Sequence, residues 1–96
     1  MGHNYNSKLM DDKTEEKIVL TRSYIEDGQI KTIAQLYSAL TKKVVAELLD
    51  LNKSSFSNKK SNSPGEFKLS QLIKLAQALD VDVMVLIGIF INSISL

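Results

Sequence analysis

The sequence predicts a small all-α protein, and three observations support this prediction. Apolar residues recur at helical spacing in the stretches near residues 32–40, 42–50 and 69–79. Residues that cap or end helices lie between these stretches, among them Thr41. A brief alternation of apolar and polar residues at 81–85 leaves a strand there as a minor alternative, and no longer alternation occurs.

Length and composition describe a single domain of ordinary composition. The chain has 96 residues, of which 44% are apolar and 24% are charged. So short a chain buries a modest core, and an oligomer is therefore compatible with it. The absence of cysteine removes disulfides, thiol catalysis and thiolate metal ligands, and the single histidine, His3, lies in a polar N-terminus. We expect no metal site, no cofactor, no secretion signal and a cytoplasmic location.

The C-terminal stretch at residues 81–96 is strongly apolar, but it does not have the pattern of a membrane span. A spanning helix needs about 20 apolar residues, whereas this stretch contains Asp82, Asn92 and two serines. We therefore expect no contact with a membrane and predict a helix that is buried or that forms a dimer. The predicted dimer seam consists of Ile87, Phe90 and Ile91.

The N-terminal part of the chain divides into a flexible tail at residues 1–11 and a helix at residues 12–28. Acidic residues in the first turns suit the helix dipole, and Gly28 ends the helix. The apolar residues do not share one tidy face, so we expect this helix to lie outside the central core. These residues are Ile18, Val19, Leu20, Tyr24 and Ile25.

Residues 30–91 form the predicted domain, followed by a short tail at residues 92–96. The helix near residues 69–79 has the most regular apolar stripe, which we expect to be core. Asp82 is expected to cap a last helix that extends to about residue 90 or 91. The apolar stripe is formed by Leu69, Leu72, Ile73, Ala76 and Leu79.

Residues 42–60 have the pattern of two short helices joined by a tight turn. The first helix contains a small residue where a second helix can cross it, and leucines flank the turn. The second helix follows a capping residue and has a single large apolar side chain, so most of its surface is polar and exposed. The residues with these roles are, in order, Ala46, Leu49, Leu51, Asn52 and Phe56. The sequence therefore predicts a helix-turn-helix.

Charge is unevenly distributed along the chain, although the formal net charge is only +1. Residues 41–68 contain six lysines and three acidic residues, whereas residues 11–27 contain six acidic and three basic residues. The middle of the chain is therefore locally basic. A basic region that includes a polar, exposed helix is typical of proteins that bind nucleic acid.

The chain resembles the repressor-like (XRE/Cro-type) helix-turn-helix family over about residues 30–91. Besides residues 42–60, the run at 67–82 (FKLSQLIKLAQALDVD) carries the resemblance, because it is similar to the family's fourth helix and its junction to the fifth. Asp50 stands at the turn position that is often glycine, and Lys68 stands where a Ser or Thr cap is usual. The resemblance implies a compact five-helix repressor-like bundle, here with an extra N-terminal helix, that binds double-stranded DNA as a homodimer.

Residue types assign roles within the predicted DNA-binding unit. Lysines attract the phosphate backbone without sequence preference, whereas Asn, Lys and Ser side chains can hydrogen-bond to base edges. The predicted base-reading residues are Lys53, Ser54, Ser57 and Asn58. The predicted phosphate contacts are Lys42, Lys43, Ser55, Lys59, Lys60 and Lys68. The predicted function is that of a small transcriptional regulator.

Two other classes of function are alternatives. A protein-interaction module of the same fold, such as an antitoxin or an adaptor, is favoured by the N-terminal helix and by the apolar run at residues 89–91. An enzyme is disfavoured because the sequence shows no nucleophile–base pair, no metal-spaced cluster and no glycine-rich phosphate loop. We therefore expect no enzymatic activity.

Overall fold

Five α-helices and short connections make up the part of the chain that the computed structural model describes, which is residues 12–52, Phe56 and residues 63–94. A single 3₁₀ turn at Pro64–Glu66 precedes the fourth helix, and these residues contain no strand. The prediction of an all-α protein is therefore confirmed. The helices are α1 (Asp12–Glu26), α2 (Ile33–Leu40), α3 (Lys42–Leu48), α4 (Leu69–Leu79) and α5 (Val83–Asn92).

The predicted N-caps of α3 and α5 are confirmed. The Val44 N–H donates to the Thr41 hydroxyl at 3.3 Å, and the Met84 N–H donates to the Asp82 carboxylate at 2.7 Å. Each bond satisfies one of the orphan amides of a helix N-terminus. Thr41 has φ 70°, which a β-branched residue rarely adopts, so the packing of α2 and α3 must hold it there.

Helix α4 begins without a Ser or Thr cap. The Lys68 N–H instead donates to the Gln71 side-chain carbonyl at 2.9 Å. This is the glutamine half of a capping box. The helix can therefore begin at Leu69 although a lysine stands at the position where the capping hydroxyl is usual.

A tight left-handed turn ends α3. The Leu51 N–H donates to the Ala46 carbonyl at 2.9 Å, and the Asp50 N–H donates to the Glu47 carbonyl at 3.2 Å. These two bonds define a Schellman motif, whose turning residue is usually glycine. Here Asp50 takes that place with φ 56°, which its short polar side chain permits at modest cost.

The same turn ends α4. The Val81 N–H donates to the Ala76 carbonyl at 3.0 Å, the Asp80 N–H donates to the Gln77 carbonyl at 3.2 Å, and Asp80 has φ 58°. Both turns follow an alanine that is buried and precede a residue that can cap a helix. The chain therefore uses one turn geometry twice, although the sequence shows no overt repeat.

The buried face of α1 differs from the one that the sequence suggests. Ile18, Thr21 and Ile25 are buried, at i, i+3 and i+7 spacing, and the two isoleucines belong to the single hydrophobic core. Val19 and Leu20 are each more than half exposed. The expectation that α1 lies outside the central core is therefore wrong, because three aligned positions suffice to bury one side of a helix.

A hydrogen bond also joins α1 to the end of α4. The Arg22 Nε donates to the Leu79 carbonyl at 2.8 Å. That carbonyl belongs to the last turn of α4, where no intrahelical partner is available. The chain's single arginine therefore helps to end α4 and to attach α1 to it.

The face of α4 that packs in the core differs from the predicted apolar stripe. Leu69 is 61% exposed and Ile73 is 39% exposed, so the expectation that both lie in the core is wrong. Leu75, which lies outside the predicted stripe, is fully buried. The residues of α4 that form the core are Leu72, Leu75, Ala76 and Leu79.

Thr21 lies in the core, and its hydroxyl makes no hydrogen bond with the described residues. Its side chain is fully buried, and its Oγ1 has no hydrogen-bond partner among the described residues.

An unpaired buried hydroxyl costs about 1–3 kcal/mol. Thr21→Val, which replaces the hydroxyl by a methyl of similar size, should therefore raise the free energy of unfolding by about 1 kcal/mol, measured by urea denaturation. Thr21→Ser is the matched control and should lower the free energy of unfolding. If the Thr21→Val protein is only as stable as the wild type, the Thr21 hydroxyl is paired.

Candidate nucleic-acid interface

The predicted helix-turn-helix centres on α3, the turn at Asp50 and the side chain of Phe56. Ala46 and Leu49 are buried, and Leu51 packs against the core from a partly buried position. Phe56 is 1% exposed, and its N–H donates to the Asn52 carbonyl at 2.9 Å, the four-residue spacing of an α-helical turn. The inward placement predicted for Phe56 is confirmed.

A chain of aromatic rings connects Phe56 to three other parts of the fold. The Phe56 ring centroid lies 6.4 Å from that of Tyr37 and 5.8 Å from that of Phe67, and Phe67 lies 4.8 Å from Phe90. All three contacts are edge-to-face, the geometry that the ring quadrupoles favour. The rings therefore join α2, the segment after the turn, the entry to α4, and α5.

Lys42 lies over the outer end of this aromatic chain. Its Nζ is 5.6 Å from the centroid of the Tyr37 ring, within the range of a cation–π contact. Burial raises the pKa of Tyr37 to about 12, so its phenol stays neutral at neutral pH. The sequence does not predict the contact between Tyr37 and Lys42, because it depends on how α2 meets α3.

The predicted phosphate-contact lysines that the structure describes lie at the beginnings of two helices. Lys42 and Lys43 occupy the first turn of α3, and Lys68 is exposed immediately before α4. Lys42 lies over the Tyr37 ring, Lys68 follows Phe67 in the sequence, and both of these rings contact Phe56. Lys42, by contact, and Lys68, by sequence, are therefore next to the two rings that pack on the anchor of the predicted reading helix.

An ion pair connects the turn to α4. The Lys74 Nζ lies 2.9 Å from Asp50 Oδ2, with both side chains at least half exposed. Such exposed pairs contribute little to stability. The pair does, however, show which side of α4 faces the turn.

The remaining predicted DNA contacts lie outside the described residues. This holds for every predicted base-reading residue and for three of the phosphate contacts. They are Lys53, Ser54, Ser57 and Asn58 for the bases, and Ser55, Lys59 and Lys60 for the phosphates.

The residues predicted for a dimer seam do not share one surface. Phe90 is 2% exposed and packs on Phe67, and Ile87 is partly buried against the core, whereas Ile91 is 55% exposed. Phe90 is therefore a core residue, which corrects its predicted place on the seam. The outward face of α5 begins instead at Met84, which is 69% exposed. Met84 and Ile91 are seven residues apart, so they lie on the same side of the helix.

Two other helices expose pairs of apolar side chains. On α1, Val19 and Leu20 line an open groove together with Glu15 and Glu16. On α4, the exposed pair is Leu69 and Ile73. Within the described ranges, no group of three His, Cys, Asp or Glu residues is placed to hold a metal ion, and no helix is long and apolar enough to cross a bilayer.

Comparison with known proteins identifies no relative. No family model matches the chain, and no curated protein or solved structure is significantly similar to it. The resemblance to the repressor-like family therefore depends on the motif residues of this chain alone.

Proposed function

We propose that this protein binds double-stranded DNA sequence-specifically through a helix-turn-helix formed by α3 and the segment at residues 53–60, and that it acts as a small transcriptional regulator. The observation that carries the proposal is the sharp left-handed turn at Asp50 followed by the buried anchor Phe56. A helix-turn-helix requires both, because its second helix must be held against the first while its other face stays open to the groove.

The distribution of charge supports the same proposal. Residues 41–68 contain six of the eleven lysines and only three acidic residues. The duplex backbone attracts such a region, and each phosphate contact makes the affinity more dependent on salt. We assign phosphate contacts to Lys42, Lys43 and Lys68, and base reading to the polar side chains of residues 53–58.

Selection of bound duplexes from a random pool tests the proposal directly. We expect recovery of a short, nearly two-fold symmetric site. Affinity for that site should fall steeply between 50 mM and 200 mM salt, as counterion release requires. Failure to bind any duplex at low salt would refute the proposal.

Two variants distinguish residues that read the bases from residues that contact the phosphates. Asn58→Ala should lower the preference for the selected site over a scrambled one, by about 1–3 kcal/mol if it makes a bidentate contact with adenine. Lys42→Ala should weaken binding to both duplexes alike and reduce the salt slope by about 1. Titrations of labelled duplexes measure both effects. Lys13→Ala, which removes an exposed lysine of α1, is the control, and sequence-blind losses from both test variants would contradict the assigned roles.

A protein-interaction module is the second candidate, favoured by the exposed apolar pair on α1. Val19 and Leu20 lie beside Glu15 and Glu16, and an exposed apolar patch with a polar rim is a common feature of protein interfaces. An antitoxin or adaptor would use such a face to bind a partner protein. The two candidates differ in the salt-dependent binding of duplex DNA, which only the first requires.

A further inference from the structure

Tyr37 contacts two different parts of the candidate nucleic-acid interface. The Nζ of Lys42, a predicted phosphate contact, lies 5.6 Å from the centroid of the Tyr37 ring. The ring of Phe56, the anchor of the predicted reading helix, has its centroid 6.4 Å from that of Tyr37 and meets it edge-to-face. One side chain of α2 therefore joins a lysine that is expected to bind phosphate to the anchor of the residues that are expected to read the bases.

The helix that carries Tyr37 is held firmly in the fold. Leu36 and Leu40, which belong to the same helix, are fully buried in the core. At the start of this helix the Ile33 N–H donates to the Ser93 hydroxyl at 2.8 Å, so the residue that follows α5 also holds α2 in place. The Tyr37 ring is therefore part of a rigid element, on which a longer and more flexible side chain can rest.

The attraction between Tyr37 and Lys42 is a cation–π contact. Burial raises the pKa of Tyr37 to about 12, so the phenol carries no charge at neutral pH. The ammonium group is attracted instead by the face of the ring, where the quadrupole is negative. Phenylalanine presents a similar face, so the contact should persist in Tyr37→Phe and be lost in Tyr37→Leu.

A lysine that rests on a ring loses less conformational freedom when it binds a phosphate. An unrestrained lysine side chain has many rotamers, and the entropy lost in fixing them opposes binding. An ammonium group has three N–H donors, so contact with a ring on one side leaves donors for a phosphate oxygen on another. Lys42 is partly buried at this contact, whereas Lys43, the next residue in the same turn of α3, is exposed. We therefore expect Lys42 to bind phosphate at a better-defined place than Lys43.

We infer that Tyr37 is a positioning residue for DNA binding, whose ring holds the Lys42 ammonium group in a fixed place relative to the Phe56 anchor. Phosphate contacts set the register and orientation of a protein on the duplex, and base contacts are made in that register. A ring that contacts both the lysine and the anchor keeps the two kinds of contact at one spacing. The assignment rests on the proposed function and adds to it a residue that acts through Lys42.

Titration of a labelled duplex of random sequence at about 50 mM salt tests the assignment. Tyr37→Leu should weaken binding about two- to fivefold, the size of a partly exposed cation–π contact, whereas Tyr37→Phe should bind as the wild type does. Lys42→Ala should weaken binding in the wild type and in Tyr37→Phe, but it should have a smaller effect in Tyr37→Leu, because coupled residues are not additive. Lys43→Ala is the matched control and should weaken binding by the same factor in all three proteins.

Proton NMR of the wild type without DNA gives a second readout, which holds even if Tyr37→Leu folds poorly. The ring current of Tyr37 should shift the ε-protons of Lys42 upfield of those of Lys43. Equal shifts for the two lysines, or an equal effect of Lys42→Ala in the wild type and in Tyr37→Leu, would overturn the assignment while the wild type still binds the duplex. If the wild type binds no duplex, the proposed function fails and the assignment fails with it, so the two failures are distinguishable.

Discussion

Phe56→Ala is expected to lower the free energy of unfolding by about 3–5 kcal/mol, the usual cost of removing a buried ring. Phe56 is 1% exposed and lies between the rings of Tyr37 and Phe67. Removal of the ring leaves a cavity between α2 and the entry to α4 and breaks the aromatic chain in the middle. A chain of this size has only about 5–15 kcal/mol of stability, so urea denaturation followed by circular dichroism should show the change clearly.

The same variant should lose specific DNA binding before it loses its fold. If residues 53–60 enter the major groove, the anchor at Phe56 is what orients them. DNA titration at a temperature where the variant is still folded should therefore show at least a tenfold loss of affinity, about 1.4 kcal/mol. Phe56→Leu, which keeps an apolar side chain at this position, should lose less than about 1.5 kcal/mol of stability and retain binding. A folded Phe56→Ala protein that binds as the wild type does would show that the anchor does not orient the reading residues.

Phe90→Lys is expected to prevent folding rather than to give a folded monomer. Phe90 is 2% exposed and packs its ring 4.8 Å from that of Phe67. The substitution removes about 3–5 kcal/mol of ring packing and adds the cost of burying an unpaired ammonium group. Together these approach or exceed the stability of a domain of this size. The far-UV circular dichroism of the variant should lose its helical signal and its cooperative thermal transition.

Ile91→Lys, one residue further along α5, is the matched comparison. Ile91 is 55% exposed, so its lysine can extend into water and the fold should be retained. The far-UV circular dichroism and the cooperative thermal transition of this variant should match those of the wild type. A Phe90→Lys protein that folds normally would contradict the burial of Phe90, and an Ile91→Lys protein that does not fold would contradict the exposure of Ile91.

The features that could be predicted from the sequence are those determined by neighbours a few residues apart. Thr41 and Asp82 cap helices because their side-chain oxygens reach amides two or three residues onward. Asp50 adopts the left-handed turn because two hydrogen bonds within six residues close it. Phe56 is buried because it is the only large apolar side chain by which the polar stretch at residues 52–60 can pack on the core.

The candidate site could be predicted only in part. Sequence placed Lys42 and Lys43 at the start of α3, where the structure has them. It did not place Lys42 over the Tyr37 ring or Lys74 beside Asp50. These contacts join residues on different elements, and their geometry depends on how the helices cross.

The apolar residues show most clearly which features the sequence determines and which depend on the tertiary structure. The sequence by itself determined that α1, α4 and α5 are amphipathic or apolar helices and where most of them begin and end, because capping and periodicity are local. Only the tertiary structure decided that Thr21 is buried while Leu20 is exposed, that Leu69 faces solvent, and that Phe90 lies in the core. The physical reason is that hydrophobic burial has no direction of its own. An apolar side chain is buried only if a neighbouring helix arrives on its side, and that depends on the packing of the whole chain.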